Sequence, residues 1–226
     1  MIERAGRTVR VDRRWWVAPV AALALVAGCS SSSALARNHV LVIGDSSAAL
    51  EQSALAPLLP PRDKVTYAIR YFGRMGPIIA VADSRMSADG TPGAVIVNLG
   101  TDDASRPRPK GPAISLQPVV DAVSRVPCVV LTTISLGADE RSRSSVALTL
   151  NDEIKRKAAA DLTRIKVVDW ENFLVTLPAA SLNTYLQADR IHPTPAGARW
   201  LAHSSVSGIQ ACGTTAQPTV IGPLGH

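Results

Sequence analysis

The sequence predicts an α/β protein, a three-layer α/β/α sandwich built on a five-stranded parallel sheet. Three observations lead there. Five short apolar runs, rich in β-branched residues, recur along residues 38–170. They are nearly continuous in hydrophobicity, as strands covered on both faces must be. Stretches of helix-forming residues separate them, and strand–helix alternation implies parallel pairing through crossovers.

The predicted strands are HVLVIG (39–44), KVTYAIR (64–70), GAVIVNLG (93–100), VPCVVLTTI (126–134) and RIKVVDW (164–170). Helices are expected near 47–56, 75–87, 117–125 and 147–162, the last with strong helix formers and a polar face. A final helix begins after Pro195 and carries Trp200 and Leu201. ASRPRPKGPA (104–113) reads as a Pro-rich surface loop, and no internal repeat is visible.

The 226 residues allow one domain with a full core, and 46% hydrophobic with 19% charged residues is ordinary for a globular protein. The net charge of +6 invites a nucleic-acid reading, but half of it sits at the start. Residues 1–16 hold five arginines against Glu3 and Asp12, a surplus of three. The rest lacks a lysine-rich run and is poor in aromatics for base stacking, which argues against nucleic acid. Nor is there a Gly-rich phosphate loop.

That basic start precedes WWVAPVAALALVAG, 14 apolar residues, too short to span a bilayer and suited to a signal-peptide core. It ends in VAGC followed by four serines, which resembles a bacterial lipobox. Residues 1–28 are therefore expected to be a lipoprotein-type signal peptide, with Cys29 the lipidated residue and 29–37 a Ser-rich tether. The expected location is the outer face of the cell membrane, with secretion the alternative. Residues 38–212 form the domain and 213–226 a loose tail. In an oxidising compartment Cys128 and Cys212 are a candidate disulfide, while a buried free thiol at Cys128 is equally natural. Three cysteines without histidines at ligand spacing make no metal site.

The polar residues that draw notice fall at carboxyl ends of predicted strands, where open α/β sheets bind ligands. Strand one ends in Gly44-Asp45-Ser46, strand two at Tyr71-Phe72-Gly73, and strand three in Asn98-Leu99-Gly100-Thr101-Asp102-Asp103. After strand five comes DRIHPT, with Asp189 three residues before His192. Singly, each has a bland explanation: Ser46 as a helix cap, Gly73 as a turn glycine, the acids as caps or solvated loop. Together they make a chemical set. A serine hydroxyl needs a base to take its proton, and neutral histidine suits that task. An aspartate fixes the imidazole tautomer, and amides such as those of Ser46 and Gly73 can meet the oxyanion.

GDSS, the glycine after strand two, GTDD and DRIHPT resemble blocks I, II, III and V of the SGNH/GDSL hydrolase family over roughly residues 38–210. The resemblance implies a flavodoxin-like sheet of order 2-1-3-4-5. It casts Ser46 as nucleophile, His192 as base, Asp189 as orienting acid and Gly73 as oxyanion-hole glycine, with Gly76 the lesser choice. It implies a serine esterase acting on carboxylic esters, short acyl groups being favoured by a chain with little room for a lid. No cofactor is implied, and a monomer acting on cell-wall glycan or lipid esters is expected. The alternatives are an O-acyltransferase on envelope glycans and a non-catalytic binding module.

One position departs from the pattern. The family's third block reads GxND, its asparagine donating to the oxyanion, and here Asp102 stands in that place. A carboxylate donates only when protonated. Three readings stay open: Asp102 held neutral by burial, Asn98 or water serving instead, or a weakened or altered activity.

Overall fold

A computed structural model describes residues 38–105, 114–135 and 145–218. The expected signal peptide, Cys29, the tether and most of the Pro-rich loop lie outside these residues. The sheet holds β1 (His39–Gly44), β2 (Lys64–Ile69), β3 (Ala94–Asn98), β4 (Val129–Thr132) and β5 (Ile165–Val168). All pairs are parallel, as the sequence pattern predicts, and the order is β2-β1-β3-β4-β5, as the family resemblance implies.

Among the described residues eight α-helices flank it: α1 (Ser46–Leu55), α2 (Met75–Asp89), α3 (Thr101–Ser105), α4 (Gln117–Ala122), α5 (Ser145–Ala160), α6 (Trp170–Thr176), α7 (Leu182–Tyr185) and α8 (Pro195–Ala211). Each strand divides its side chains between two cores, because successive residues face opposite ways. Leu41, Ile43, Val95, Val97, Val129 and Leu131 meet α2, α4 and α5. Val40, Val42, Ile96, Val130 and Val168 meet α1, α6, α7 and α8. The second core is knit by aromatic rings, with Phe173 stacked on Trp200 at 4.1 Å and edge-on to Tyr185 at 5.0 Å. Double coverage explains the unbroken hydrophobicity of β1, β3 and β4. Edge strand β2 is covered less and tolerates Lys64, Thr66 and Tyr67.

Helices α3, α6 and α7 were not expected from the sequence. α6 begins on Trp170, which the strand reading had absorbed into its fifth strand. Asp169 ends that strand by capping the helix, its side chain accepting from the Asn172 amide at 3.3 Å.

Two further features differ from, or decide between, the expectations. Cys128 and Cys212 form a disulfide with Cα atoms 5.7 Å apart, joining the entrance of β4 to the end of α8. Residues 213–217, expected to start a loose tail, are fastened to β5. Buried Lys166 donates to the carbonyls of Leu162, Thr214 and Ala216 at 2.5, 2.7 and 2.6 Å. That satisfies all three ammonium hydrogens. Gln217 Oε1 accepts from the Val167 amide at 3.3 Å, and the Gly213 amide donates to Thr163 at 2.8 Å.

Candidate active site

Ser46, Asp189 and His192, 146 residues apart at the extremes, meet at the carboxyl edge of the sheet. His192 Nε2 lies 2.9 Å from Ser46 Oγ, and its Nδ1 lies 2.7 Å from Asp189 Oδ2. The tautomer follows from these partners: Nδ1–H donates to the carboxylate, leaving Nε2 to accept from the serine hydroxyl.

Local structure sets each member. The strand-to-helix turn at Gly44-Asp45-Ser46 is tight: a Cβ on Gly44 would lie 2.1 Å from Ala48 Cβ and 2.5 Å from the Asn98 carbonyl. Only glycine permits that approach. The capping task falls to Asp45, whose Oδ1 accepts from the Ser47 amide at 3.1 Å. Ser46 therefore takes the first helical position with its hydroxyl released for His192. Its own amide is among those that a helix start leaves without an intrahelical partner.

Asp189 and His192 share one turn. Asp189 Oδ1 accepts from the amides of Ile191 and His192 at 2.9 and 3.0 Å. The turn is braced by Gln187 N to His192 O at 2.8 Å and by the Leu186–Pro193 bridge. Thr194 then caps α8 through the Gly197 amide at 3.2 Å. Burial works against ionising Asp189, but the His192 ring and the two amides outweigh it and hold the carboxyl below its ordinary range.

The two acids of GTDD have separate places. Both are buried in the first turn of α3. Asp103 Oδ2 accepts from the Met75 amide at 2.8 Å and so pins the start of α2. The GTDD backbone is itself held by Asp45, whose Oδ2 accepts from the amides of Gly100 and Thr101 at 3.1 and 2.9 Å. Burial pushes the Asp45 carboxyl up to about 6, against the pull of the Ser47 amide, and the charge of Asp102 adds to the rise.

Two expected oxyanion donors are otherwise engaged. The Gly73 amide donates to the Arg70 carbonyl at 3.1 Å, closing the turn after β2. Asn98, a candidate stand-in for the missing asparagine, turns into the protein and donates to Glu51 Oε2 at 3.0 Å. Gly76, the lesser choice, lies exposed in the first turn of α2. Ser46 N–H remains the donor whose place in the helix start leaves it to a ligand. Among the described residues no group of three or more His, Cys, Asp or Glu side chains is arranged to hold a metal.

Glu51 is the residue that sequence reasoning missed. It is fully buried on α1 behind the site and also accepts from Ser205 Oγ at 2.9 Å, linking α1, β3 and α8. Burial pushes its carboxyl up to about 7 despite both bonds. The sequence does not mark it, because the buried side of α1 mixes Ser46, Ser47 and Ala48 with Leu55 and so shows little apolar periodicity. The folded state thus holds this proton up to about pH 7, whereas the unfolded chain releases it near 4.5. Stability from this group is complete below about 4.5 and is lost as pH rises through about 7. The loss is on the order of 3 kcal/mol, from about 1.4 kcal/mol per pH unit. Glu51→Gln, which keeps both hydrogen bonds available, is expected to flatten the fall in Tm between pH 5 and pH 8. An unchanged slope in a thermal melt series would overturn this.

An apolar hollow of about 360 Å³ lies between α5, β5 and α8, lined by Leu162, Val167 and Trp200. None of Ser46, Asp189 and His192 lines it.

The model of the GDSL-like lipase/acylhydrolase family matches residues 42–200. Among solved structures, a lipase/acylhydrolase from Enterococcus faecalis is 17% identical with a TM-score of 0.60, over 76% of this chain and 95% of that one. The peptidoglycan O-acetyltransferase catalytic domain of Streptococcus pneumoniae is 16% identical, TM-score 0.58, over 78% and 94%. A catalytic mutant of an acetylxylan esterase from Geobacillus stearothermophilus is 18% identical, TM-score 0.54, over 76% and 94%. Identities this low carry the fold and not the substrate. No curated protein matches the sequence.

Proposed function

Because the chain belongs to the GDSL-like lipase/acylhydrolase family, and so is a hydrolase of the SGNH type, we propose that it hydrolyses short-acyl carboxylic esters through Ser46, His192 and Asp189. The observation that carries the reading is the unbroken relay of 2.7 and 2.9 Å from Asp189 through His192 to Ser46 Oγ.

The steps follow from that relay. Ser46 Oγ attacks the ester carbonyl as its proton passes to His192 Nε2. Asp189 stabilises the imidazolium, and the Ser46 amide donates to the oxyanion. His192 returns the proton to the departing alcohol oxygen, leaving an acyl group on Ser46. Water then attacks the acyl-enzyme with His192 as base, which releases the acid and restores the serine. With a sugar hydroxyl in place of water the same acyl-enzyme would give transfer, the alternative chemistry.

The reading includes a location. The basic residues 1–14, the 14-residue apolar run and VAGC support export and lipid anchoring at Cys29. Substrates at the envelope would then be acylated wall glycans or lipids.

The test is hydrolysis of p-nitrophenyl acetate and butyrate by the full chain, together with labelling by a fluorophosphonate. The expected result is acetate turnover exceeding butyrate turnover, with the label on Ser46 by mass spectrometry. Folded protein that neither turns over nor labels would overturn the proposal. With a sugar acceptor added to the p-nitrophenyl acetate assay, an acetylated sugar in place of free acetate would redirect it to transfer.

A further inference from the structure

The turn after β2 carries the two most exposed large apolar side chains among the described residues, Tyr71 at 63% and Phe72 at 68%. Phe72 is also held at φ +58°, in the left-handed region that favours glycine. It is the third residue of the turn closed by the Gly73 amide on the Arg70 carbonyl, a place ordinarily taken by glycine or asparagine. The chain has its glycine one residue later for a separate reason. A Cβ on Gly73 would lie 2.8 Å from Arg70 Cβ and 2.9 Å from Ile78 Cδ1. The strained position is thus held by a bulky aromatic residue that is 68% exposed. Strain of this kind gathers at active sites and ligand clamps.

The tip stands beside the candidate nucleophile. Ile69 pairs with Gly44 across β2 and β1, the Arg70 amide donates to the Gly44 carbonyl at 3.2 Å, and Ser46 follows two residues on. Arg70, exposed, and Arg74, half-buried, flank the two rings.

We infer that Tyr71, Phe72, Arg70 and Arg74 form a subsite for an acidic glycan strand whose acyl ester reaches Ser46. The inference rests on the esterase reading and names its substrate class. The C–H face of a pyranose packs on an aromatic ring, and a guanidinium pairs in bidentate fashion with a sugar carboxylate. A lipid surface fits less well. It is held by a broad apolar face, and at this turn Tyr71 and Phe72 are the exposed large apolar side chains among the described residues.

The experiment is affinity electrophoresis of the full chain through polygalacturonate, with neutral xylan and phosphatidylglycerol vesicles as parallel arms. Polygalacturonate is expected to retard the wild type more than xylan does. Phe72→Gly and Arg70→Gln are each expected to weaken that Kd about tenfold. The Tm of Phe72→Gly is expected to equal or exceed that of the wild type, because strain is relieved; a ring with a structural role would lower it. Equal retardation of wild type and variants, no retardation by polygalacturonate, retention by the vesicles alone, or a lower Tm in Phe72→Gly would each overturn the inference. Binding is read without any ester present. Its failure is therefore distinct from failure of the esterase reading, which would appear as absent hydrolysis of p-nitrophenyl acetate.

Discussion

His192→Asn is expected to lower kcat on p-nitrophenyl acetate by about 10⁴–10⁶, the range seen when a member of a serine–histidine relay is removed. The reason lies in the 2.9 Å contact between Nε2 and Ser46 Oγ, the proposed route by which the hydroxyl loses its proton. Asparagine fills part of the volume but supplies no base. Asp189→Asn should cost about 10³–10⁴, and for a second reason besides the tautomer. Asp189 Oδ1 takes two backbone amides while Oδ2 takes the ring, so both oxygens face donors. An asparagine must aim its NH₂ at one set or the other, which either misorients the imidazole or loosens the turn. Steady-state kinetics with matched thermal melts check both variants. A folded His192→Asn protein with more than a tenth of wild-type activity would sink the relay.

Asp102→Asn is expected to raise kcat, by as much as about 10²–10³, the usual worth of one oxyanion-hole donor. The aspartate is buried in the first turn of α3, beside the amides that Asp45 holds. Its charge already raises the Asp45 carboxyl. A negative charge there opposes the charge that develops on the substrate oxygen, while an asparagine Nδ2 would donate to it. Of the other expected donors, Asn98 is bound to Glu51 and the Gly73 amide to Arg70, which leaves the Ser46 amide. A second readout accompanies the first: with the Asp102 charge gone, the Asp45 carboxyl should ionise at lower pH. That moves the acid-side rise of the kcat/KM profile downward if Asp45 must be ionised to hold the loop. Unchanged or lower activity in a folded Asp102→Asn protein would mean that the carboxyl is not a handicap and serves this site as it is.

The legible part of the site was the part written in short segments. Gly44-Asp45-Ser46 places a glycine where a strand meets a helix, and Asp189 with His192 lies within one turn, so local chain geometry already brings base and acid together. The illegible part depended on which way a side chain turns. Asn98 and Glu51 both carry groups that could serve an active edge, yet their mutual bond takes both inward. Gly73 was identified by position, and the hydrogen bond closing its own turn uses the amide on which its expected role depends.

The parallel sheet and its double-sided core were legible in the sequence alone, while the strand order and the candidacy of Ser46, Asp189 and His192 came from the resemblance that the motifs carry. Short β-branched hydrophobic runs without alternation, separated by helix-forming stretches, fit strands covered on both faces, and the polar residues gathered at their carboxyl ends stood out against that pattern. Only the tertiary structure decided the short helices α3, α6 and α7, the disulfide between Cys128 and Cys212, and the fastening of residues 213–217 by Lys166. Each of these joins residues far apart in the chain or is too short for its periodicity to register. Their energies come from contacts and caps that exist only once the sheet has assembled.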